Sequence, residues 1–180
     1  MTTLEVVTRH IPTRPNMLVR NRASVQELGL GVKQTLLVDH DQRGVAWANW
    51  QLSQFEPAGD YVWLLDDDDE ATDIGLAVWL ADEAARERPD MIMVRMDHGA
   101  RLGIMPDAWH WRKPPAVGHI GVSAALIHAE HWRLCRGAWQ PDYSADGAFL
   151  RYAFDRARSV VWHDTIAARC QRALSQGAPE

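Results

Sequence analysis

Four consecutive aspartates followed by a glutamate, residues 66–70, come directly after the short apolar segment 62–65. An apolar run of this length predicts a buried strand, and in open α/β sheets the ligand crevice lies at the carboxyl ends of the strands. Carboxylates this close repel one another unless a cation or strong donors offset their charge. Oxygen ligands of this kind suit Mg²⁺ or Mn²⁺. The alternative is that the acids cap a helix near residue 72, but four in a row exceed what a cap requires.

The elements that must position these acids alternate between strands and helices. Each strand is a short apolar run, and each helix has apolar residues at helical spacing. Strands that alternate with helices of this length predict an α/β fold with a mainly parallel sheet and right-handed crossovers. The predicted strands are 4–8, 34–38, 61–65 and 90–96, and the predicted helices are 16–28, 45–55 and 72–88.

The pattern becomes irregular after residue 96. Residues 97–115 mix Gly, Pro, His and Trp without periodicity, which predicts a long functional loop. The segment after it contains a strand-like run, two helices and a last short strand, at 117–127, 130–136, 146–156 and 159–162. We expect a single domain over residues 1–172 and a disordered tail over residues 173–180.

Length, composition and charge exclude several classes of protein. The chain has 180 residues and a formal net charge of −5, with acids and bases interspersed, which argues against broad electrostatic attraction to nucleic acid or anionic membranes. Two cysteines do not make a disulfide framework, so we expect a cytoplasmic protein. The sequence shows no signal peptide and no apolar run of the roughly 18 residues that a membrane-spanning segment needs.

The order of these parts, with Gly-Asp-Tyr-Val-Trp-Leu-Leu-Asp-Asp-Asp-Asp at 59–69, resembles the GT-A fold of nucleotide-sugar-dependent glycosyltransferases. The resemblance is to the inverting family 2 type and covers about residues 3–165. It implies a Rossmann-like, mainly parallel sheet flanked by helices, in which a D-x-D motif binds a divalent cation and the donor's ribose and diphosphate. Asp68 would then be the metal ligand, Asp66 would face the ribose and the metal, and Asp67 or Asp69 would assist.

Two further matches concern the nucleotide. Asp39, after the second strand, resembles the family acid that hydrogen-bonds the nucleotide base, and a carboxylate can accept from a uracil N–H; the alternative is a turn cap. The first loop, which contains Thr8 and Arg9, matches the family's first nucleotide-contacting loop in position, so the resemblance implies that both line the donor site.

Two more matches concern catalysis and the metal. Residues 143–151, Tyr-Ser-Ala-Asp-Gly-Ala-Phe-Leu-Arg, resemble the family's E-D motif, which makes Asp146 the catalytic base, although Ala145 replaces the preceding Glu. The alternative for Asp146 is a helix N-cap. His163 follows the last predicted strand, where many GT-A enzymes place a histidine metal ligand; the alternative is a partly buried structural histidine.

The acceptor side has fewer signals. Trp109 and Trp111 lie in the long loop and could stack on a sugar ring or a nucleobase, or one could pack inward while the other stays idle on the surface. Because the chain is short, we expect an acceptor reached from an open crevice, such as a polysaccharide, a protein or modified DNA.

Together, the residues and the resemblance predict a hexosyltransferase-like enzyme that uses Mn²⁺ or Mg²⁺. It would move a sugar from a nucleotide-diphospho-sugar donor to an acceptor hydroxyl with inversion. Among such donors, we expect a UDP-sugar. One alternative is a Mg²⁺-dependent phosphoryl or nucleotidyl transferase or hydrolase, although no G-x-x-x-x-G-K-[ST] loop is present. The other is a domain that binds a nucleotide sugar without turnover.

Overall fold

A computed structural model of the chain describes residues 2–100 and 102–171, so the predicted tail at 173–180 lies outside the described residues. The strands are β1 (Leu4–His10), β2 (Val32–Val38), β3 (Tyr61–Leu64), β4 (Asp69–Ala71), β5 (Met91–Asp97), β6 (Ile104–Met105), β7 (Ala125–His128) and β8 (Val160–Cys170). The helices are α1 (Pro15–Glu27), α2 (Val45–Gln54), α3 (Leu76–Arg86), α4 (Ala129–Cys135) and α5 (Ala145–Phe154). None of the described helices is long and apolar enough to cross a membrane.

The described strands form one sheet in the order β2-β1-β3-β7-β5-β8-β4, and β6 pairs with β5. Strands β2, β1 and β3 are parallel, and so are β5 and β8. Strand β7 inserts antiparallel between β3 and β5. Helices flank this sheet, so the α/β fold class predicted from the alternating elements is confirmed.

The last strand differs from the prediction. It was expected to end at residue 162 but continues to Cys170, because its second half pairs with the end of β5 and antiparallel with β4. Strand β4 begins inside the acidic run, where Asp69 pairs with Cys170. The acidic run is therefore held in place by a strand 100 residues further along the chain.

Alternation along the strands produces two apolar layers, one on each face of the sheet. Val6 and Trp63 belong to the layer that also contains residues of α1 and α3, whereas Val7 and Leu64 belong to the layer with α2, α4 and α5. The indole N–H of buried Trp63 donates to the Ser123 carbonyl at 2.8 Å. Large apolar side chains packed on both faces fix the sheet, and with it the strand ends that carry the acids.

Candidate functional site

A pocket of about 350 Å³ lies at the carboxyl ends of β1, β2 and β3, and the beginning of α5 forms its opposite wall. Several side chains singled out in the sequence line it although they come from four separate parts of the chain. They are Arg9, Asp39, Asp66, Asp67, Asp68 and Asp146. Parallel strands bring their carboxyl ends to one edge, which explains the meeting of the first five.

Two buried side-chain amides shape the turn that carries the acidic run. Asn21 of α1, fully buried, donates to the carbonyl oxygens of Asp66 at 2.9 Å and Asp69 at 3.0 Å. Gln171 donates its side-chain amide to the Asp67 carbonyl at 3.3 Å and its backbone N–H to the Asp68 carbonyl at 2.7 Å. Sequence reasoning did not find either residue, because a single amide far away in the chain carries no local motif.

Three of the carboxylates form a cluster that could hold a divalent cation. One oxygen from each of Asp66, Asp68 and Asp69 lies within 4.8 Å of the others. Asp69 is almost fully buried and accepts from the Ser123 hydroxyl at 3.0 Å. Burial, and then the charges of Asp66 and Asp67, raise the pKa of Asp68 to about 6. Burial and the charges of Asp68 and Asp66 also raise the pKa of Asp69. Oxygen-only donors suit Mg²⁺ or Mn²⁺.

Arg9 links this cluster to the opposite wall of the pocket. Its guanidinium donates to both carboxylate oxygens of Asp66, at 2.6 and 2.5 Å, and its Nη1 lies 3.5 Å from Asp146 Oδ1. Nη1 also donates to Asn49 Oδ1 at 3.0 Å. Burial disfavours the charged guanidinium, but the charges of Asp66 and Asp146 outweigh this and raise the pKa of Arg9. The arginine therefore stays charged between two of the predicted functional acids.

Two of the other residues assigned to the nucleotide, Asp67 and Thr8, have structural contacts. Asp67 lines the pocket, but it is almost fully buried and accepts from His10 Nδ1 at 2.8 Å and from the Ile11 N–H at 3.2 Å. Thr8 does not line the pocket: its hydroxyl is buried and accepts from Gln34 Nε2 at 2.9 Å. Neighbours on a strand point to opposite faces, so Arg9 reaches the pocket and Thr8 cannot. The expected role of Thr8 in the donor site therefore stays a prediction that the pocket lining does not support.

Asp39 lies at the far end of the pocket and is partly unsatisfied. Its Oδ2 accepts from the Gly44 N–H at 2.8 Å, as a turn cap would, whereas its buried Oδ1 has no hydrogen-bond partner among the described residues. Burial would raise the pKa of Asp39, but N–H donors from Arg43 and Gly44 outweigh it and lower that pKa. A buried, charged acceptor without a donor is costly unless a ligand supplies one.

One face of α2 forms the wall beside Asp39. Val45, Ala48 and Gln51 line the pocket at helical spacing, with Leu37 of β2 next to them. The Gln51 Oε1 is buried and, like Asp39 Oδ1, has no hydrogen-bond partner among the described residues. This end of the pocket therefore combines an apolar wall with Asp39 and Gln51, each of which has one buried oxygen without a hydrogen-bond partner among the described residues. No motif in the sequence points to Gln51.

Asp146 projects into the pocket from the first turn of α5. Ser144 is the N-cap residue of α5, so Asp146 does not occupy the N-cap position that was its alternative role. Its side chain is 31% exposed, and burial is the main cause that raises its pKa, against the lowering charge of Arg9. Ala145, which stands where the family has Glu, is buried in the apolar layer between α5 and the sheet. A charged side chain there would lack solvent.

His163 is not part of the carboxylate cluster. It lies inside β8, its ring stacks on Trp79 with centroids 3.8 Å apart, and its Nε2 is 3.9 Å from an oxygen of Asp73. Its neighbour Trp162 pairs with Met93 of β5. Arg169, which precedes the Cys170 that pairs with Asp69 of the cluster, pairs with Asp97 of β5. Met93 and Asp97 are four residues apart on β5, so the two positions on β8 are separated by about 13 Å. Because the last strand extends past residue 163, His163 lies away from the carboxylate cluster, and its role as a metal ligand stays a prediction from the resemblance.

The two loop tryptophans have different surroundings. Trp111 packs edge-on against Trp162 at 5.0 Å, with the Arg95 guanidinium 4.2 Å above its ring. Trp109 is 74% exposed and is contacted by the Lys113 ammonium at 3.7 Å. Of this pair, only Trp109 presents an exposed ring, whereas Trp111 packs against Trp162. Tyr143, 90% exposed, adds a second open ring at the rim of the pocket itself.

No protein-family model and no curated protein matches the sequence. Solved structures match in fold. S. aureus TarS superposes with a TM-score of 0.69 at 11% identity, over 94% of this chain and 36% of that chain. TarS 1–349 in complex with UDP-GlcNAc gives 0.60 at 11% identity, over 94% and 58%. A glycosyltransferase involved in the glycosylation of the major capsid of PBCV-1 gives 0.56 at 12% identity, over 97% and 95%.

This chain thus spans less than two thirds of the TarS chains and nearly all of the capsid-glycosylating enzyme. At 11–12% identity the likeness is one of fold. The GT-A-like fold expected from the motifs is confirmed, and glycosyltransferases are among the proteins that share it.

Proposed function

We propose that the protein is a glycosyltransferase that moves a sugar from a nucleoside-diphosphate donor to an acceptor hydroxyl with inversion. The observation that carries the proposal is the composition of the pocket. Its far end holds the unpaired Asp39 acceptor, its centre the Asp66 and Asp68 carboxylates with Arg9, and its opposite wall Asp146. These groups match, in order, a base, a diphosphate with its cation, and a reacting hydroxyl.

The donor would place its base at the α2 end of the pocket. Asp39 Oδ1 accepts from a base N–H, and the apolar wall of Val45 and Ala48 covers the base plane. The imide N–H of uracil is a suitable donor to the carboxylate. Because TarS 1–349 has been crystallised with UDP-GlcNAc and shares the fold, UDP-sugars are the first donors to test.

The carboxylates of Asp66, Asp68 and Asp69 fit a hard divalent cation, since all three offer oxygen and their oxygens already lie within 4.8 Å of one another. When bound, Mn²⁺ or Mg²⁺ would supply Lewis-acid stabilisation of the charge that grows on the leaving diphosphate. Arg9 and Arg14, both in the pocket lining, add permanent positive charge on the same side. Arg14 lies 3.8 Å from Asp68 and is partly exposed, so it is free to reach a phosphate.

The acceptor hydroxyl would approach from the α5 side. Asp146, in its charged form, takes the hydroxyl proton as the oxygen attacks the anomeric carbon. Arg9 favours that form, because its positive charge opposes the effect of burial on the pKa of Asp146. With the base and the leaving group on opposite sides of the sugar, a single displacement inverts the anomeric centre. The open rings of Tyr143 and Trp109 would contact a sugar of the acceptor.

A donor screen tests this function. Wild type, Asp68→Ala and the control Asp82→Ala would each be mixed with UDP-, GDP-, dTDP- and CMP-sugars, with Mn²⁺ or with EDTA. Asp82 is an exposed acid on α3 and serves as the matched control. With Mn²⁺, we expect one donor class to raise the melting temperature of wild type and Asp82→Ala and to be hydrolysed slowly by both. We expect neither effect with EDTA, and neither effect in Asp68→Ala.

Two results would change the assignment. Binding without hydrolysis or transfer to any acceptor would indicate a nucleotide-sugar-binding domain without turnover. Manganese binding with no response to any nucleotide sugar would contradict the glycosyltransferase proposal and favour phosphoryl or nucleotidyl chemistry at the same carboxylates.

A further inference from the structure

A second group of metal-ligating side chains lies in the long loop between β5 and β7. Ligand atoms of Asp107, His110 and His119 lie within 4.8 Å of one another. His110 Nδ1 is 2.8 Å from Asp107 Oδ1, and the His110 and His119 rings stack with centroids 4.0 Å apart and planes at 19°. The group therefore joins the two ends of the segment 107–119.

The backbone already holds each of these residues in a turn. The His110 N–H donates to both the side chain and the carbonyl of Asp107, at 2.8 and 3.1 Å. The Lys113 N–H donates to the His110 carbonyl at 3.2 Å, and the His119 N–H donates to the Ala116 carbonyl at 3.0 Å. A ligand that joins these side chains would therefore order little additional backbone, which lowers the entropic cost of binding.

The donor atoms differ from those of the Asp66–Asp68–Asp69 cluster. Two imidazole nitrogens and one carboxylate oxygen suit a borderline ion such as Zn²⁺, which takes histidine and carboxylate ligands in tetrahedral sites. We propose that Asp107, His110 and His119 bind Zn²⁺, with water in the fourth position. This site is independent of the function proposed above.

Binding requires a local movement that the structure permits. Zinc lies in the plane of each imidazole that binds it, at about 2.0–2.1 Å from the nitrogen, so two stacked rings cannot both bind as they stand. His119 is exposed, and rotation about its χ2 torsion, which is broad for histidine, turns its nitrogen towards His110. His110 can bind through its Nε2 while its Nδ1 donates to Asp107, or Asp107 can bind directly.

The position of the loop gives the site a consequence. Val117 packs directly on Gly147, where a Cβ would come within 2.8 Å of the Val117 Cα. Gly147 follows Asp146, and Val117 is two residues from His119. A zinc ion that joins 107 to 119 would thus fix the segment that lies against the first turn of α5. It would act as a clamp on one wall of the pocket and would not take part in the chemistry there.

The test uses untagged full-length protein, stripped with a chelator and titrated with Zn²⁺ by calorimetry and with Co²⁺ by visible absorption, which reports histidine ligation. His110→Ala and His119→Ala are compared with His40→Ala, an exposed histidine outside the loop, and with Asp68→Asn, which alters the acidic cluster. We expect one zinc per chain in wild type, His40→Ala and Asp68→Asn. Each loop variant should lose more than roughly 100-fold in affinity, because losing an outer-shell partner alone costs about 10- to 100-fold and these histidines would bind zinc directly.

Circular dichroism of each variant without metal shows whether it folds, and we expect no change for His119→Ala because the side chain is exposed. Absence of zinc binding to wild type would overturn the proposal. So would zinc affinity that is unchanged in both loop variants, or zinc affinity that is lost in Asp68→Asn and kept in His119→Ala, since the ion would then sit on the aspartate cluster.

Discussion

Asn21 is the residue on which the shape of the acidic turn most depends, and replacing it gives a sharp stability prediction. Its side chain is fully buried on α1. It donates to the carbonyl oxygens of Asp66 and Asp69 at 2.9 and 3.0 Å and accepts from Gln34 Nε2 at 2.6 Å. Two longer contacts, with Leu65 and Thr8 at 3.4 Å, add less. Asn21→Leu keeps most of the bulk and removes all of these bonds.

The magnitude follows from the three short contacts. Each is a neutral hydrogen bond, one of them buried and two part-buried, and such a bond contributes about 1 kcal/mol net, so their loss costs about 3 kcal/mol. The Asp66 carbonyl keeps the bond from the Asp69 N–H at 2.9 Å, which limits the penalty for unpaired groups. We therefore expect Asn21→Leu to lower the free energy of unfolding by about 3 kcal/mol, and to weaken Mn²⁺ binding because the turn loses its support.

Urea unfolding followed by circular dichroism measures the first effect, and calorimetric titration with Mn²⁺ measures the second. Arg22→Leu is the matched control, since Arg22 is the exposed neighbour on α1 and should change stability by less than about 0.5 kcal/mol. If Asn21→Leu lowers the free energy of unfolding by less than about 1 kcal/mol and leaves the Mn²⁺ affinity unchanged, the view that Asn21 holds the turn is refuted.

Two further predictions concern catalysis. Asp146→Asn should bind the donor as wild type does but transfer about 10²–10⁴ times more slowly, the usual contribution of a general base; transfer at the wild-type rate would show that Asp146 is not the base. Arg9→Met should move the acidic limb of the kcat/KM profile to higher pH. The base works deprotonated, Arg9 lowers the pKa of Asp146 from 3.5 Å, and losing that charge lets burial raise the pKa further. The same limb should stay in place in Arg14→Met, whose side chain contacts Asp67 and Asp68 instead, and an unmoved limb in Arg9→Met would contradict the electrostatic role.

The parts of the fold that sequence predicts well are those set by local patterns. Strands β1, β2, β3 and β5 and helices α1 and α2 begin and end within about two residues of their predicted bounds, because apolar runs and helical spacing are local signals. Helix α3 begins four residues later than predicted, at Leu76, since residues 69–71 form β4 instead of leading into the helix. The acids fell at a strand end as predicted, for the same local reason.

The pairings between distant segments could not be predicted from the sequence. The partner of β4 is the second half of β8, and no local pattern joins residues 69–71 to 168–170. The position of His163 is an example, because a strand predicted to end at 162 would have left the histidine at the sheet edge, whereas it lies inside β8. Asn49 is a similar case: from α2 it donates to the carbonyls of Gln140 and Asp142, 91 and 93 residues away, and accepts from Arg9.

The charges of the pocket give a physical reason to expect that donor binding depends on metal. Six aspartates line it, namely Asp39, Asp66, Asp67, Asp68, Asp142 and Asp146, against the two arginines Arg9 and Arg14. Burial, and then the charges of Asp66 and Asp67, raise the pKa of Asp68 to about 6, although the charge of Arg14 opposes this. A diphosphate that enters such a pocket would meet like charge in a partly desolvated space, which is unfavourable. A divalent cation on the carboxylates offsets part of this negative charge and presents a positive centre to the diphosphate, so EDTA should abolish donor binding and not only turnover. A donor that stabilises the protein equally with and without metal would show that Arg9 and Arg14 suffice for the diphosphate.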